Sequence, residues 1–452
     1  MDKIKLEGYI NMHEKKYTFL YENDRLSVIS CEEDFKLIGY LKQINILEGK
    51  TTLGARVFFL INKEVRYING YFEAYPEYVI FIRSNIEEDP IGINAIKFIG
   101  GDITRFYSNE RIIENDVVDI PTTELILKDP KETVSTETCT INNKNVKLEF
   151  SVSKPGFLYD GKIKFGDINS NLRIKYNSKI DYLETIKDIE IIEKVLIVAC
   201  ASTNITYDKI DIEKLNEEGK YECIGNIYVP RMRQNSIIKN LFNYNFFAGH
   251  FNDLISSMDK FEYIYYIISK RRKTKYDITE KDYMSAFSCF QTIYNCFENS
   301  HEEENEMESI LKDIKKEIKE VLYFLDEKYK GKNTLKRKFV KRFAELVEKS
   351  NVKLESSISL FLNEHDYIFN NMHELMFKDT KELLENLDNY VIDAVKDRDD
   401  ITHNGVVKLS ETSQLIYRSV VISCYIMIFE IIGIDKEIIK NNVQRMINHN
   451  YL

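Results

Sequence analysis

Two residues near the end of the chain, Arg398 and His403, have the types and spacing for chemistry at a phosphate. A permanently charged guanidinium on an apolar helix face is costly unless it is paired or faces a cleft. Arg398 offers phosphate oxygens a planar fork of donors, and His403 titrates near neutrality and can act as acid or base. Arg398 takes the next position on an apolar stripe formed by Leu384, Leu387, Val391, Ala394 and Val395.

The spacing of these two residues sets a geometric condition. Five residues along an ideal helix rotate a side chain by about 140°. We therefore expect Arg398 and His403 to converge only if the helix ends or bends between them. Gly405 predicts a helix end just after His403. Ser410 predicts the N-cap of the strongly apolar helix that follows.

The segment Arg398-Asp-Asp-Ile-Thr-His403 resembles the R-x(4–6)-H motif of the HEPN superfamily. The surroundings are similar as well, because a helix leads into the motif and a very apolar helix comes next. Asp399 stands where the family more typically has Asn. The layout of a β-rich region before a C-terminal helical domain resembles the ApeA-like anti-phage proteins, which act by abortive infection.

The resemblance implies a metal-independent endoribonuclease that needs no cofactor and cleaves RNA, with tRNA as a family-level substrate. The RNA 2′-OH would attack the adjacent phosphorus, His403 would transfer a proton and Arg398 would bind phosphate oxygens. Asp399 would orient either Arg398 or His403. It also implies a homodimer with one composite cleft across a two-fold axis, for which the helix at 415–432 is a candidate contact. Residues 1–230 would then sense a phage-derived trigger or restrain the nuclease.

The charge balance limits how such a protein handles RNA. The 452 residues include 63 basic and 73 acidic side chains, a net charge of −10, which excludes a uniformly basic nucleic-acid-coating protein. RNA binding then requires local basic surface. The alternative for each candidate is a loop charge cluster or a solvated helix face. The candidate RNA-binding residues are Lys270, Arg271, Arg272, Lys273, Lys336 and Arg337.

Proline placement divides the chain. All six prolines lie at or before Pro230, which predicts a turn-rich first part and a helical second part. We expect an α+β multidomain protein with an antiparallel, sandwich-like β region at 1–230 and an all-α bundle of HEPN type at 231–452. A polar stretch at 128–138 is a candidate break between two β subdomains.

Several elements can be predicted individually. Two hairpins are expected, one over 17–30 and one over 65–75 around Asn69-Gly70, a dipeptide suited to a two-residue turn. Segment 191–198 is either a buried strand or a short helix. Apolar spacing predicts helices over 251–270, 280–297, 303–329, 335–349, 354–369, 381–400, 411–432 and 436–449.

Other signals favour a cytoplasmic protein without a metal site. The seven cysteines are scattered, odd in number and without a CxxC pair, which fits a reducing compartment. The first residues have no apolar run typical of a signal peptide. Arg418 and Glu430 interrupt the apolar run at 415–432, so we expect no membrane span. Glu364-His365-Asp366 with His373 could suggest a metal site, but ordinary histidines are favoured.

A second interpretation belongs to a different class. The β region could recognise a ligand without any catalysis, and the helices could serve as an oligomerisation scaffold. The sequence has no P-loop, HExxH or GxSxG motif that would assign chemistry to residues 1–230.

Overall fold

The chain forms two compact units, Met1–Asp259 and Lys260–Leu452. The first consists mainly of antiparallel strands and the second of helices, so the α+β prediction is confirmed. The computed structural model describes residues 4–12, 15–29, 45–68, 71–86, 91–107, 113–116, 124–127, 134–152, 157–159, 162–164, 169–200, 205–230, 242–258, 278–300, 306–330, 334–349, 354–369, 380–404 and 409–448.

The described part of the first unit contains strands and four helices. The strands are β1 (Lys5–Met12), β2 (Lys15–Glu22), β3 (Arg25–Ile29), β4 (Ile46–Thr51), β5 (Arg56–Ile68), β6 (Tyr71–Ile82), β7 (Gly92–Ile99), β8 (Ile113–Asp116), β9 (Glu124–Leu127), β10 (Ser135–Ile141), β11 (Lys144–Val152), β12 (Phe157–Tyr159), β13 (Lys162–Lys164), β14 (Ser170–Asp181), β15 (Lys209–Leu215) and β16 (Tyr221–Tyr228). The helices are α1 (Asp102–Phe106), α2 (Thr185–Ala199), α3 (Tyr244–Phe247) and α4 (Phe251–Ser257).

Twelve of these strands form one sheet in the order β10-β11-β14-β7-β15-β16-β6-β3-β2-β1-β4-β5. Because β5 also pairs with β6, the last six strands close into a barrel. Phe19, Phe59 and Phe72 fill its interior, each at most 1% exposed. The predicted sandwich-like packing of two sheets is therefore not what forms. A closed ring leaves no edge strands and buries its own apolar face.

Strand β6 connects the barrel to the open part of the sheet. On one edge, its residues up to Ala74 pair with β3, and its residues from Val79 pair with β16. Pro76 lies between these two stretches, where the pairing with β5 also shifts register. Proline has no N–H to donate, so a junction of this kind is where it disturbs a sheet least.

Helix α2 packs against the open part of the sheet through a buried carboxylate. Asp188 on α2 is fully buried. It accepts hydrogen bonds from Asn142 Nδ2, Lys144 Nζ and Tyr176 Oη at 2.7, 2.9 and 3.0 Å. These three donors compensate for removing the carboxylate from water, and they join α2 to β14, to the start of β11 and to the turn before it.

The division between the units lies after Asp259, which is later than the predicted boundary at 230/231. Glu137 on β10 accepts hydrogen bonds from the Tyr244 hydroxyl at 2.9 Å and from the backbone N–H of Phe251 at 3.3 Å. The Tyr244 and Phe251 rings also stack with centroids 5.7 Å apart. Proline placement missed this because α3 and α4 contain no proline yet pack on the sheet.

The local predictions in the first unit have mixed outcomes. The hairpin over 17–30 is confirmed, since β2 and β3 pair around Asn23 and Asp24, whose φ angles of 53° and 64° suit a two-residue turn. The second hairpin pairs β5 with β6 up to Ile68 and Tyr71, while its Asn69-Gly70 turn lies outside the described residues. Segment 191–198 belongs to helix α2. Most of the predicted break at 128–138 precedes β10, and 128–133 lie outside the described residues.

The second unit confirms most of the predicted helices, with ends shifted by a few residues. Of the segment predicted at 251–270, residues after 258 lie outside the described part. The helices of this unit are α5 (Glu280–Ser300), α6 (Glu306–Tyr329), α7 (Thr334–Lys349), α8 (Leu354–Glu364), α9 (Thr380–Asn404), α10 (Glu411–Ile431) and α11 (Lys436–Asn448).

Helix α10 forms the centre of this unit and packs against α5, α8, α9 and α11. Every residue from Leu415 to Phe429 is buried. By length and composition α10 could cross a membrane, contrary to the expectation that its apolar run is too short. However, 83% of its most apolar stretch is buried inside the protein, which is compatible with the core helix of a soluble protein.

One buried acid links the stability of the first unit to pH. The Tyr207 hydroxyl donates a hydrogen bond to Glu193 on α2. Burial raises the pKa of Glu193 from 4.5 to about 7, and the Glu190 carboxylate also raises this pKa while the Tyr207 hydroxyl lowers it. Ionisation of Glu193 therefore opposes folding.

We expect Glu193→Gln to stabilise the first unit in alkaline buffer. The contribution of Glu193 to folding is fully present below about pH 4.5 and is lost as the pH rises through about 7. At about pH 8 the variant should exceed the wild type by up to about 3 kcal/mol, and at about pH 5 the gain should be much smaller. Urea denaturation at both pH values measures this, with the exposed Glu218→Gln as control. A gain that is independent of pH would contradict the expectation.

Candidate functional site

The last turns of α9 carry all three predicted catalytic residues. The buried face of this helix includes Val391 and Ala394, and it continues to Ile401, which is 7% exposed. Arg398 lies on the same face with 27% of its side chain exposed. Arg398 therefore occupies the edge of the interior, as the interrupted apolar stripe predicted.

Arg398 is held by its chain neighbour. Its Nη1 donates a hydrogen bond of 2.8 Å to Asp399 Oδ1, whose side chain is 54% exposed. The Nε of Arg398 is buried and has no hydrogen-bond partner among the described residues. A phosphate that binds this guanidinium must compete with the Asp399 carboxylate and could use the remaining donors.

His403 is exposed and belongs to the same continuous helix. Because α9 continues to Asn404, the helix neither ends nor breaks between Arg398 and His403. The two side chains therefore leave the helix about 140° apart, with a rise of about 7.5 Å between them. Within one chain, α9 does not bring the two predicted catalytic residues together. Gly405, the expected helix stop, lies outside the described residues.

The charge around these residues is acidic. Between 393 and 403, α9 carries two permanent cations and four carboxylates, which are Lys396, Arg398, Asp393, Asp397, Asp399 and Asp400. This stretch does not itself supply the basic cleft that RNA requires. Further cations from elsewhere in the protein, or from a second copy, would have to balance it.

The structure reveals supporting residues that the motif did not indicate. Asp397 accepts a 2.6 Å hydrogen bond from the hydroxyl of Ser413 on α10. The Tyr283 hydroxyl on α5 donates to the carbonyl of Ala394 at 3.0 Å. Burial raises the pKa of Tyr283 well above its usual range, and the Asp397 charge adds to this, so the phenol remains a neutral donor. These contacts fix the turn of α9 that carries Arg398.

The predicted cap of α10 completes this arrangement. Ser410 has extended backbone angles, and its hydroxyl accepts a hydrogen bond from the Ser413 N–H at 3.0 Å. The Ser410 hydroxyl also donates to Ser413 Oγ at 2.8 Å, and Ser413 in turn donates to Asp397. The start of α10 is thus joined to the end of α9 by a chain of hydroxyl groups. The S-x-x-S spacing in the sequence is the signal that could have identified Ser413.

The candidate RNA-binding clusters differ in what can be described. Residues 270–273 lie outside the described residues. On α7, Arg337 binds Asp326 on α6 through two hydrogen bonds of 2.9 and 3.2 Å, so its guanidinium is already engaged. Lys336 Nζ lies 5.4 Å from the centre of the Tyr329 ring. The structure thus favours a structural role for Arg337.

The candidate metal residue His365 is a core residue, 4% exposed. Its Nδ1 lies 3.0 Å from the Phe361 carbonyl oxygen and its Nε2 lies 3.0 Å from Glu430 Oε1. Both neighbours are oxygen atoms of the protein, so the imidazole is fully used in joining the end of α8 to α10. Within the described ranges no group of three or more His, Cys, Asp and Glu residues could hold a metal ion, and His373 lies outside them.

Comparison with known proteins adds no relative: no family model, no curated protein and no solved structure matches this chain.

We expect Ser413→Ala to destabilise the helical unit by about 1–3 kcal/mol, because Asp397 loses a donor in a partly buried place. Ser413 is 1% exposed, so water cannot easily replace its hydroxyl. Urea denaturation followed by circular dichroism measures the loss. Gln414→Ala, one residue along the same turn and partly exposed, should have a smaller effect. Equal losses for the two variants would contradict this role for Ser413.

Proposed function

We propose that this protein is a metal-independent endoribonuclease of HEPN type that acts in anti-phage defence by abortive infection. Arg398 and His403 carry the chemistry, and Asp399 modulates Arg398. The helical unit is the nuclease. The β-rich unit senses a phage-derived trigger or restrains the nuclease, and tRNA is the first substrate to test.

The observation that carries this proposal is the position of Arg398. A guanidinium with a buried, unpartnered Nε lies at the edge of the interior, on the buried face of α9 and five residues before an exposed histidine. Buried donors are usually paired, so an unpaired one at the edge of the interior leaves a donor for a ligand. The apolar helix α10, which follows directly, gives this end of α9 a rigid support.

The chemistry needs two kinds of group. The RNA 2′-OH attacks the adjacent phosphorus, its proton leaves to a base, and the departing 5′ oxygen takes a proton from an acid. His403 can fill either proton-transfer role, and Arg398 can bind the phosphate oxygens as negative charge builds up on them. The products are a 2′,3′-cyclic phosphate and a 5′-hydroxyl, and no bound metal takes part.

The diverging directions of Arg398 and His403 favour a site composed from two chains. If two copies of α9 lie across a two-fold axis, Arg398 of one copy can face His403 of the other. This arrangement would bring together an arginine and a histidine that a single α9 holds on different sides of the helix. The acidic stretch of α9 makes such an approach dependent on the RNA phosphates or on basic residues placed between the copies.

A second candidate function is a non-catalytic ligand-binding protein with a helical oligomerisation scaffold. The observations that favour it are the continuous helix between Arg398 and His403 and the acidic charge around them. In this alternative the protein cleaves no RNA. The first unit binds a ligand, and Arg398 and His403 take no part in that binding.

We expect the purified protein to cleave RNA in EDTA, and Arg398→Ala or His403→Ala to reduce the rate by roughly 100-fold or more. Cleavage of total RNA and tRNA, followed on denaturing gels with end-group analysis, measures this. Lys396→Ala is the matched control, because Lys396 is an exposed cation on the same helix. Cleavage that survives both motif substitutions would rule out this site.

Growth of bacteria that express the protein supplies a second readout. Toxicity that disappears with Arg398→Ala or His403→Ala, but not with Lys396→Ala, supports the nuclease. Two results together support the non-catalytic alternative. The wild type cleaves no RNA in extracts of infected or uninfected cells, and all variants grow equally.

We expect Asp399→Asn to increase RNA cleavage or RNA affinity. The change weakens the acceptor for Arg398 Nη1 and removes an anion from the phosphate site. A unit charge about 4 Å away in water corresponds to about 1 kcal/mol, or roughly a fivefold effect. Asp393→Asn removes an equal charge elsewhere on α9 and should change the rate less. A decrease with Asp399→Asn would show instead that the carboxylate has a required role.

A further inference from the structure

Helices α6 and α7 form an antiparallel hairpin with very little core of its own. Among its described residues the buried apolar side chains are Leu322 and Val340, with Ile318, Leu325 and Tyr329 partly buried against them. In the described part of the unit, α6 and α7 pack chiefly against each other. Most helical stability in proteins comes from packing of an apolar face against other elements, so this hairpin gains little from its own chain.

The same hairpin exposes an apolar groove of about 770 Å³ between its two helices. Val321, Leu335 and Phe339 line it and are 58%, 80% and 71% exposed. Single exposed apolar residues are ordinary, but a continuous groove of this kind indicates a partner surface. The mostly apolar lining suits the apolar face of another helix more than it suits nucleic acid.

The charges of the two helices are complementary. Helix α7 has six basic and two acidic side chains, a net charge of +4. Helix α6 has seven acidic and five basic side chains, a net charge of −2. Within one chain, Asp326 on α6 and Arg337 on α7 already form an ion pair. A matching partner would place an acidic helix against α7 and a basic helix against α6. A second copy of this hairpin offers one helix of each kind.

We propose that this groove binds the same groove of a second copy, so that two hairpins form a four-helix bundle. A two-fold axis parallel to the helices places α6 of each copy antiparallel to α7 of the other. Each helix then has an oppositely charged neighbour on both sides, and Leu335 and Phe339 of both copies become buried. Antiparallel four-helix bundles with short connections are a common solution for such pairs.

The structure also removes the contact expected from the sequence. Helix α10, the candidate at 415–432, is buried within its own unit and has no apolar face left for a second chain. The hairpin is exposed where α10 is not. This inference does not depend on RNA cleavage, since a dimer at the hairpin can exist whether or not Arg398 and His403 are catalytic.

The test uses the purified full chain in light scattering coupled to gel filtration and in sedimentation velocity. We expect a dimer at micromolar concentration. Phe339→Glu should raise the dissociation constant by roughly 100-fold, because it buries an unpaired charge in the apolar contact. Tyr323→Glu is the matched control, because Tyr323 is 72% exposed and lies outside the groove. This control should remain dimeric, and circular dichroism should find equal helix content in all three proteins.

Three outcomes overturn the proposal. The first is a wild-type protein that is monomeric even at about 100 µM, a concentration well above the micromolar dissociation constant expected for the dimer. The second is a dimer that survives both Phe339→Glu and Leu335→Glu, which would place the contact on another surface. The third is a monomer that floats with anionic phosphatidylserine vesicles and loses this with Phe339→Glu, which would assign the groove to a lipid surface.

Discussion

The helical unit depends on the burial of α10. Fifteen consecutive residues from Leu415 to Phe429 have no exposed side, and four other helices pack around them. This burial fixes α9 through the bond between Ser413 and Asp397, and it thereby fixes the direction in which Arg398 points. It also explains why the helix that looked most suitable for a dimer contact is unavailable. An apolar helix cannot serve as the core of its own chain and as the surface for another.

Helix geometry constrains the candidate site. Because the backbone advances by about 100° per residue, a spacing of five places two side chains on different sides of a continuous helix. Arg398 therefore lies at the edge of the interior, whereas His403 faces water. A catalytic site that brings an arginine and a histidine together therefore needs a second copy of the chain. The exposed hairpin α6–α7 offers a surface on which a second copy can bind. A dimer at the hairpin and a composite site at α9 involve different residues and are tested by different measurements.

In the first unit, the polar groups are arranged to hold elements in place. Asp188 and Glu137 each accept hydrogen bonds that join a helix to the sheet. Glu193 on α2 accepts a hydrogen bond from Tyr207, which lies just before β15. The barrel interior is apolar. A sensor function for this unit would therefore have to use its outer surface or its loops, where the side chains are free to meet a partner.

The sequence alone determined the local features whose causes are local. It specified the turn at Asn23-Asp24, the Ser410 cap, most helices of the second unit and the break in the apolar stripe at Arg398, because spacing and turn chemistry act within a few residues. Tertiary structure decided the rest. Closure of the barrel depends on β3 pairing with β6 and β1 pairing with β4, strands that are far apart in the sequence. The boundary after Asp259 depends on contacts of α3 and α4 with β10. The Asp397–Ser413 hydrogen bond also depends on how α9 meets α10, and no periodicity in one segment encodes the position of another.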